Sequence, residues 1–309
     1  MKVGLFVGAS ATDKIRLDEI IAQGVQAEED GFDSFWLPHI SARGPDALTA
    51  LALVGAQTER IALGTGVVPT YPRHPTMLAQ QAITTQIAAS GRLTLGIGPS
   101  HKPGIENVLG LSYDRPAKHV EEYLAVLRPL IDEGKVDFEG DFYNVHATLD
   151  VPDGMPVSVM ISALAPRMLR LGGAVADGTI TWMAGVKAIE SHVTPRINAA
   201  ASEAGRPSPR VSVGLPVAVT DDESAGRAQA ASLFERYGTL VNYRRILDVE
   251  DVEGPSEVAV VGDEASVAQQ IRAFADAGAT EFIANVFPVG DDAEASVSRT
   301  RALLKSLVE

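Results

Sequence analysis

The chain contains no cysteine, and this absence excludes several kinds of chemistry. Without cysteine among its 309 residues, it can form no disulfide, no thiolate metal site and no cysteine nucleophile. No apolar run reaches the ~18–20 residues that a membrane-spanning helix needs. The N-terminal segment MKVGLFVGAS has one lysine and a short apolar run, which predicts a first strand and no signal peptide. We therefore expect a cytoplasmic protein.

Positive charge is scarce along the chain. It has 26 Lys and Arg residues against 40 Asp and Glu residues, a formal net charge of -14. Such a surface repels phosphate backbones, so we expect no binding to nucleic acid. A protein of this charge that binds an anion must build a local positive pocket. Each cluster of Arg, Lys and His is therefore informative.

The motifs of several common enzyme classes are also absent. There is no GxxxxGK[ST] loop, no GxSxG segment, and no HExxH or HxxxH pair, so we expect no P-loop, no serine hydrolase and no metal site. The first strand and its loop, GLFVGASATD, contain no GxGxxG. This argues against the alternative fold, a doubly wound open sheet, which normally carries that motif after its first strand.

Strand and helix patterns alternate eight times, which predicts a (β/α)8 TIM barrel. Three helix-to-strand junctions, AEEDGFDSFWL, AVADGTITWM and FADAGATEFIANV, share a helix-ending glycine before an apolar strand. Pro45, Pro75 and Pro166 are predicted to begin helices. The strands are predicted at residues 2–7, 34–37, 61–63, 93–97, 157–162, 179–183, 211–219 and 281–287.

An insertion is predicted between the fourth and fifth strands, with a helix at 116–133 and a surface hairpin at 136–145. Further helices are predicted at 188–204 and 222–237, and the segment up to residue 252 has no clear pattern. No linker composition occurs, so residues 1–309 are expected to form one domain.

Loops that follow the strands of such a barrel converge on one face, where the active site lies. The polar residues predicted on this face are His39, Arg73, His74, Ser100, His101 and Lys102. The other three histidines, His119, His146 and His192, fall on helices or in the insertion and are expected at the surface. Imidazole and cationic groups beside flexible glycines are suited to binding an anionic, planar cofactor and to donating a proton.

A second candidate segment is ISALAPRMLRLGGAVADG, residues 161–178. A helix beginning at Pro166 leaves its first backbone N–H groups free to bind an anion. Arg167 and Arg170 lie in its first turns, where their charge opposes the helix dipole unless an anion is near. The alternative is an ordinary helix start with solvated arginines.

Together these segments resemble the bacterial luciferase-like (β/α)8 superfamily, most closely its coenzyme F420-dependent oxidoreductases. The likeness covers nearly the whole chain. It lies in W-x-x-H at residues 36–39, LGTGVVPTYPRHP after the third strand, GRLTLGIGPSH at the fourth and SALAPRMLRLGGAVADG at the fifth. The resemblance implies hydride transfer between C5 of the deazaflavin and a small organic substrate, in a homodimer.

The resemblance also implies roles for individual residues. A non-proline cis peptide between Gly66 and Val67 would lie behind the cofactor ring. His39 would lie beside the reactive carbon, and His101 stands where some relatives carry a glutamate proposed as the acid. The residues implied to bind the cofactor are Thr65, Gly66, Val67, Ser100, Ala163, Leu164, Ala165, Arg167, Met183 and Ala184, with the phosphate on the amides of 163–165.

Two other functions stay open from the sequence. Pro38 stands where many F420-dependent members have an aspartate, so FMN is the alternative cofactor, in a monooxygenase that would use O2 and a separate flavin reductase. The alternative from another class is a non-catalytic flavin-binding barrel. The substrate is indicated only by apolar residues such as Trp182, Val286 and Phe287, which favour an apolar or aromatic molecule.

Overall fold

The computed structural model describes residues 1–9 and 14–308, so the end of the predicted first loop, residues 10–13, lies outside the described residues. Strands and helices are numbered in chain order. The strands are β1 (Lys2–Phe6), β2 (Ser34–Leu37), β3 (Ala62–Thr65), β4 (Val68–Pro69), β5 (Leu93–Gly98), β6 (Lys135–Glu139), β7 (Asn144–Thr148), β8 (Ser158–Ser162), β9 (Gly178–Trp182), β10 (Arg210–Val219), β11 (Val260–Gly262) and β12 (Glu281–Val286).

The helices of the described residues surround these strands. They are α1 (Leu17–Glu29), α2 (Ala47–Gly55), α3 (Pro75–Ala88), α4 (Pro116–Asp132), α5 (Pro166–Ala174), α6 (Val186–Ala188), α7 (Thr194–Glu203), α8 (Glu223–Thr239), α9 (Val241–Glu250), α10 (Pro255–Val258), α11 (Glu264–Asp276) and α12 (Ala293–Ser306). Two π-helical segments, Gly104–Val108 and Ile189–Val193, lie in the connections.

Eight parallel strands close into a barrel, as predicted. The order β12-β1-β2-β3-β5-β8-β9 is closed by β10, which pairs with both β9 and β12. The short strand β4 pairs with β5, and β11 adds to β10. Because every barrel pair is parallel, the loops after these strands lie at the same end of the barrel.

Local signals account for most helix boundaries. Helix α1 ends before Gly31, whose φ of 88° is the left-handed conformation that glycine adopts readily. The prediction that Pro45 begins α2 is wrong, because Asp46 is the N-cap and its carboxylate accepts the N–H of Thr49 at 2.9 Å. Helix α3 begins at Pro75, as predicted.

The interior of the barrel holds a buried polar group at its amino end. Glu281 is 2% exposed, and its carboxylate accepts the hydroxyl of Ser34 at 2.5 Å and that of Ser212 at 2.6 Å. Arg210 donates to the same carboxylate at 3.1 Å. Above it, Trp36 fills the space beside Gly64, where an added Cβ would lie 2.3 Å from the indole ring. The barrel is therefore packed, and open chemistry is confined to its carboxyl end.

The structure differs from the sequence predictions mainly in the connections. The predicted hairpin is present as β6 and β7, paired antiparallel. The helix predicted at 188–204 is interrupted by a π-helical segment, and the segment after 237 forms α9, α10 and β11. The prediction of a surface position is wrong for His119, which is 4% exposed on α4. Its Nε2 lies 3.0 Å from the Thr70 hydroxyl.

Candidate active site

The predicted site residues all lie at the end of a barrel strand or after it, and therefore share the carboxyl-end rim. His39 follows β2, the 65–67 segment joins β3 to β4, and Ser100 and His101 follow β5. The 163–167 segment follows β8, and Met183 and Ala184 follow β9. The parallel topology thus brings together loops from five strands that lie far apart in the sequence.

His39 is held in one orientation by the start of helix α2. Its Nδ1 accepts the backbone N–H of Ala47 at 3.3 Å, so the proton of the neutral ring is assigned to Nε2. The side chain is 16% exposed. Burial lowers the pKa of His39, the Arg73 guanidinium lowers it further, and the Asp46 carboxylate partly offsets both. The ring is therefore neutral at neutral pH and offers an N–H from Nε2.

An ion pair between Asp46 and Arg73 supports this histidine. The Asp46 carboxylate lies 3.6 Å from Nδ1 of His39 and accepts a hydrogen bond from Nη2 of Arg73. Burial opposes ionisation of Asp46, but the N–H of Thr49 and the guanidinium of Arg73 hold its pKa below the usual value. The carboxylate is therefore ionised while it faces the imidazole. Asp46 was not predicted as a site residue, because the spacing from 39 to 46 matches no catalytic motif.

His101 lies in a different environment on the same rim. Its ring centroid is 5.2 Å from that of Tyr243 on α9. Burial, with a smaller contribution from Arg236, lowers the pKa of His101 to about 4. The imidazole is therefore uncharged at neutral pH. The contact with α9 could not be predicted, since that segment has no clear pattern in the sequence.

The connection between β3 and β4 has the backbone that the family resemblance implies. The peptide bond between Gly66 and Val67 is cis. The Thr65 hydroxyl donates to the carbonyl of Gly96 at 2.8 Å and accepts its N–H at 2.9 Å, so it joins β3 to β5. Ser100 has a φ of 62°, and its carbonyl accepts the Tyr113 hydroxyl at 3.0 Å. The Thr65 hydroxyl therefore stabilises the rim through its bonds to β5. A ligand that bound Thr65 through its side chain would use this same hydroxyl.

The N-terminus of α5 has free backbone donors. Among residues 1–9 and 14–308, no atom accepts the N–H of Leu164 or Ala165, and Ala165 caps the helix without a side-chain hydrogen bond. Ala163 differs, because its N–H donates to the Thr179 hydroxyl at 3.2 Å. Arg167 is 59% exposed and pairs with Glu121 at 2.9 Å. Two of the three predicted amides are therefore available to an anion.

The end of β9 carries a group of aromatic side chains. Met183, with a φ of 60°, and Ala184 are fully buried directly after Trp182. The Trp182 ring contacts Phe6 at 5.4 Å and Tyr237 at 5.7 Å between centroids. Tyr237 donates its hydroxyl to the carbonyl of Ala9 at 2.9 Å, so α8 reaches the loop after β1. Helix α8 therefore covers part of the rim, which the sequence did not indicate.

The described part of the chain lacks two other features. No group of three or more His, Asp or Glu side chains there is arranged to hold a metal ion. No described helix has both the length and the apolar character needed to cross a membrane.

The fold and the site define a (β/α)8-barrel enzyme with neutral imidazoles and a free helix terminus on its rim. The chain belongs to the luciferase-like monooxygenase family, whose sequence profile matches residues 1–281. The family predicted from the sequence motifs is thereby confirmed.

Individual relatives refine this comparison. The chain is 28% identical, over 84% of each sequence, to an F420-dependent glucose-6-phosphate dehydrogenase of Kineococcus radiotolerans. Its fold matches an F420-dependent secondary alcohol dehydrogenase, solved in complex with an F420-acetone adduct, at a TM-score of 0.79, with 20% identity over 99% of this chain and 98% of that one. It also matches the FMN-complexed oxygenating constituent of 3,6-diketocamphane monooxygenase from Pseudomonas putida at 0.76, with 19% identity over 100% and 97%.

Proposed function

We propose that this protein is an F420-dependent oxidoreductase that transfers a hydride between coenzyme F420 and a small organic substrate. One observation carries the proposal: the rim combines a neutral imidazole at His39 with the uncommitted N–H groups of Leu164 and Ala165. The F420-dependent glucose-6-phosphate dehydrogenase to which the chain is similar supports the choice of cofactor.

The residues present fit an anionic deazaflavin. The free amides at the start of the nine-residue helix α5 are donors for a phosphate, and the helix dipole favours negative charge there. An acidic protein has no general attraction for such a group, so these local donors matter. When bound, coenzyme F420 carries the hydride, and the protein contributes orientation and electrostatics.

His39 is the hydrogen-bond donor to the reacting oxygen of the substrate in this proposal. Its neutral ring carries the proton on Nε2, which no described residue binds, so it donates a hydrogen bond to a substrate oxygen. Such a donor stabilises negative charge that develops on that oxygen. To act as a base toward an alcohol through Nε2, the ring must adopt the other tautomer and give up the hydrogen bond from Ala47.

The decisive experiment compares the binding of F420 and FMN to the purified protein by fluorescence titration. We expect F420 to bind more tightly than FMN. Ala165→Pro removes one N–H at a φ of -80°, which proline tolerates, and should weaken F420 binding about tenfold. Ala165→Ser keeps the N–H and is the matched control. If neither cofactor binds, the proposed function is wrong.

A second candidate function is that of an FMN-dependent monooxygenase. Pro38 in place of the aspartate of many F420-dependent members favours it, and the fold of the FMN-complexed monooxygenase is compatible with it. Tighter binding of FMN than of F420 in the same titration, with O2-dependent turnover in the presence of a flavin reductase, would establish this alternative.

We also propose that the protein is a homodimer. Leu53 on α2 is 40% exposed and Met77 on α3 is 60% exposed, and these two helices are neighbours. Exposed large apolar side chains on adjacent helices are suited to an interface between copies of the chain. Light scattering should give twice the mass of 32.6 kDa, and Leu53→Glu should give the monomer mass.

A further inference from the structure

Two of the buried polar atoms that have no hydrogen-bond partner among the described residues belong to neighbouring parts of the barrel's carboxyl end. They are Nε1 of Trp182, the last residue of β9, and Oδ1 of Asn285, near the end of β12. The side chains are 8% and 4% exposed. Buried polar groups in proteins are almost always paired, and an unpaired one is costly. Such a pair of atoms at the mouth of a barrel therefore points to a ligand that completes it.

The two side chains meet at the same neighbour. The Trp182 ring packs edge-on against Phe6, with centroids 5.4 Å apart and an interplanar angle of 83°. The Asn285 amide donates from Nδ2 to the carbonyl of Phe6 at 2.8 Å, which fixes its orientation and leaves Oδ1 as the free acceptor. Trp182 thus contacts the ring of Phe6 and Asn285 contacts its backbone carbonyl, and together they offer one N–H donor and one C=O acceptor.

Trp182 lies in a group of aromatic side chains. We call this group the aromatic cluster, which consists of Phe6, Trp182, Phe234, Tyr237 and Phe287. None of these residues carries a charge at neutral pH. The neighbouring cation on α8, Arg236, is exposed and acts on His101. A dianionic group placed against this cluster would lose its hydration without gaining a counter-charge.

We propose that Trp182 and Asn285 recognise the substrate, and that the substrate is a neutral, largely apolar molecule carrying a hydroxyl group. This inference rests on the proposed function, because it names the substrate class of the same site. A hydroxyl both accepts a hydrogen bond and donates one, so it satisfies Nε1–H and Oδ1 together. A ketone or ether oxygen only accepts and leaves Oδ1 unpaired. A phosphate group placed against the aromatic cluster would find no counter-charge there, so we expect a sugar phosphate to bind less well than a neutral hydroxyl compound.

The test uses three probes: cyclohexanol, cyclohexanone and glucose 6-phosphate. Binding to the wild-type protein is measured by calorimetry and by tryptophan fluorescence, with and without F420. The chain has only two tryptophans, and Trp36 is buried in the barrel with its Nε1 bonded to Ser34 at 2.9 Å, so a fluorescence response reports on Trp182. We expect cyclohexanol to bind about fivefold more tightly than cyclohexanone, and glucose 6-phosphate to bind less well than cyclohexanol.

Two variants complete the test. Trp182→Phe keeps an aromatic ring but removes the N–H, and should weaken cyclohexanol binding about fivefold. Phe274→Leu changes an aromatic contact with Phe282, away from the aromatic cluster, and should leave binding unchanged. The comparison of probes on the wild-type protein remains valid even if a variant does not fold.

Three outcomes would overturn the inference: glucose 6-phosphate binding as tightly as cyclohexanol, no cyclohexanol binding to the F420-loaded protein, or wild-type affinity in folded Trp182→Phe. The binding of F420 tests the proposed function separately from the binding of cyclohexanol. If F420 does not bind but cyclohexanol binds with the expected preferences, the cofactor assignment is wrong and the recognition site stands.

Discussion

Replacing His119 should change how the stability of this protein depends on pH. The imidazole is buried on α4, where it stacks on Tyr71 with ring centroids 3.8 Å apart and an interplanar angle of 2°. Burial lowers its pKa from 6.5 to about 4, and the carboxylate of Glu122 only partly offsets this. His119→Gln removes the titrating group and keeps a side-chain amide that can reach the Thr70 hydroxyl.

The sign and size of the effect follow from the two pKa values. The unfolded chain binds a proton near pH 6.5 and the folded protein only near pH 4, so protonation favours unfolding between them. This contribution to stability is complete above pH 6.5 and is lost progressively as the pH falls toward 4. Between pH 8 and pH 5, one such group reduces the free energy of unfolding by about 2 kcal/mol.

Urea unfolding at pH 8 and pH 5 measures this difference. His119→Gln should be less stable than wild type at pH 8, because packing is lost, and the gap should narrow by about 2 kcal/mol at pH 5. His101 is present in both proteins, so its similar titration cancels. Phe142→Leu, which removes an edge-on ring contact at 5.4 Å, should keep the same gap at both pH values. Parallel pH profiles of wild type and His119→Gln would refute the reasoning.

Three further predictions concern the site and the barrel. Asp46→Asn keeps the helix cap but removes a charge 3.6 Å from His39, so the pKa of His39 should fall further in an NMR titration; a rise would contradict the assigned geometry. Glu281→Gln should reduce the free energy of unfolding by about 3 kcal/mol in urea, because the buried carboxylate accepts several hydrogen bonds; a loss below about 0.5 kcal/mol would show that it is not needed. Gly64→Ala places a Cβ against Trp36 and should cost about 3 kcal/mol by the same measurement, whereas wild-type stability would mean that the indole can move.

Secondary structure and the position of the rim could be predicted because they depend on local signals. The glycine at position 31 ends α1, and the prolines at 75 and 166 begin α3 and α5, through conformational preferences that act within a few residues. Once strands and helices alternate, a parallel barrel places every post-strand loop at one end. His39 and the α5 terminus were predicted on the same rim for that reason.

The environment of each site residue was decided by contacts between distant segments. The pairing of Asp46 with Arg73 depends on how α2 packs beside the β4 loop, and no motif encodes it. No motif encodes the burial of His119 either, or the hydrogen bond from the Thr65 hydroxyl to β5.

The sequence by itself determined the barrel, the family and the strands whose loops carry the candidate site, because hydrophobic period, glycine and proline act locally along the chain. Only the tertiary structure decided that the His39 and His101 rings are neutral, how His39 is oriented, which amides stay free, and that Trp182 and Asn285 keep unpaired polar atoms. These properties arise from burial and from distances between residues far apart in the sequence, and such distances exist only after the barrel has closed.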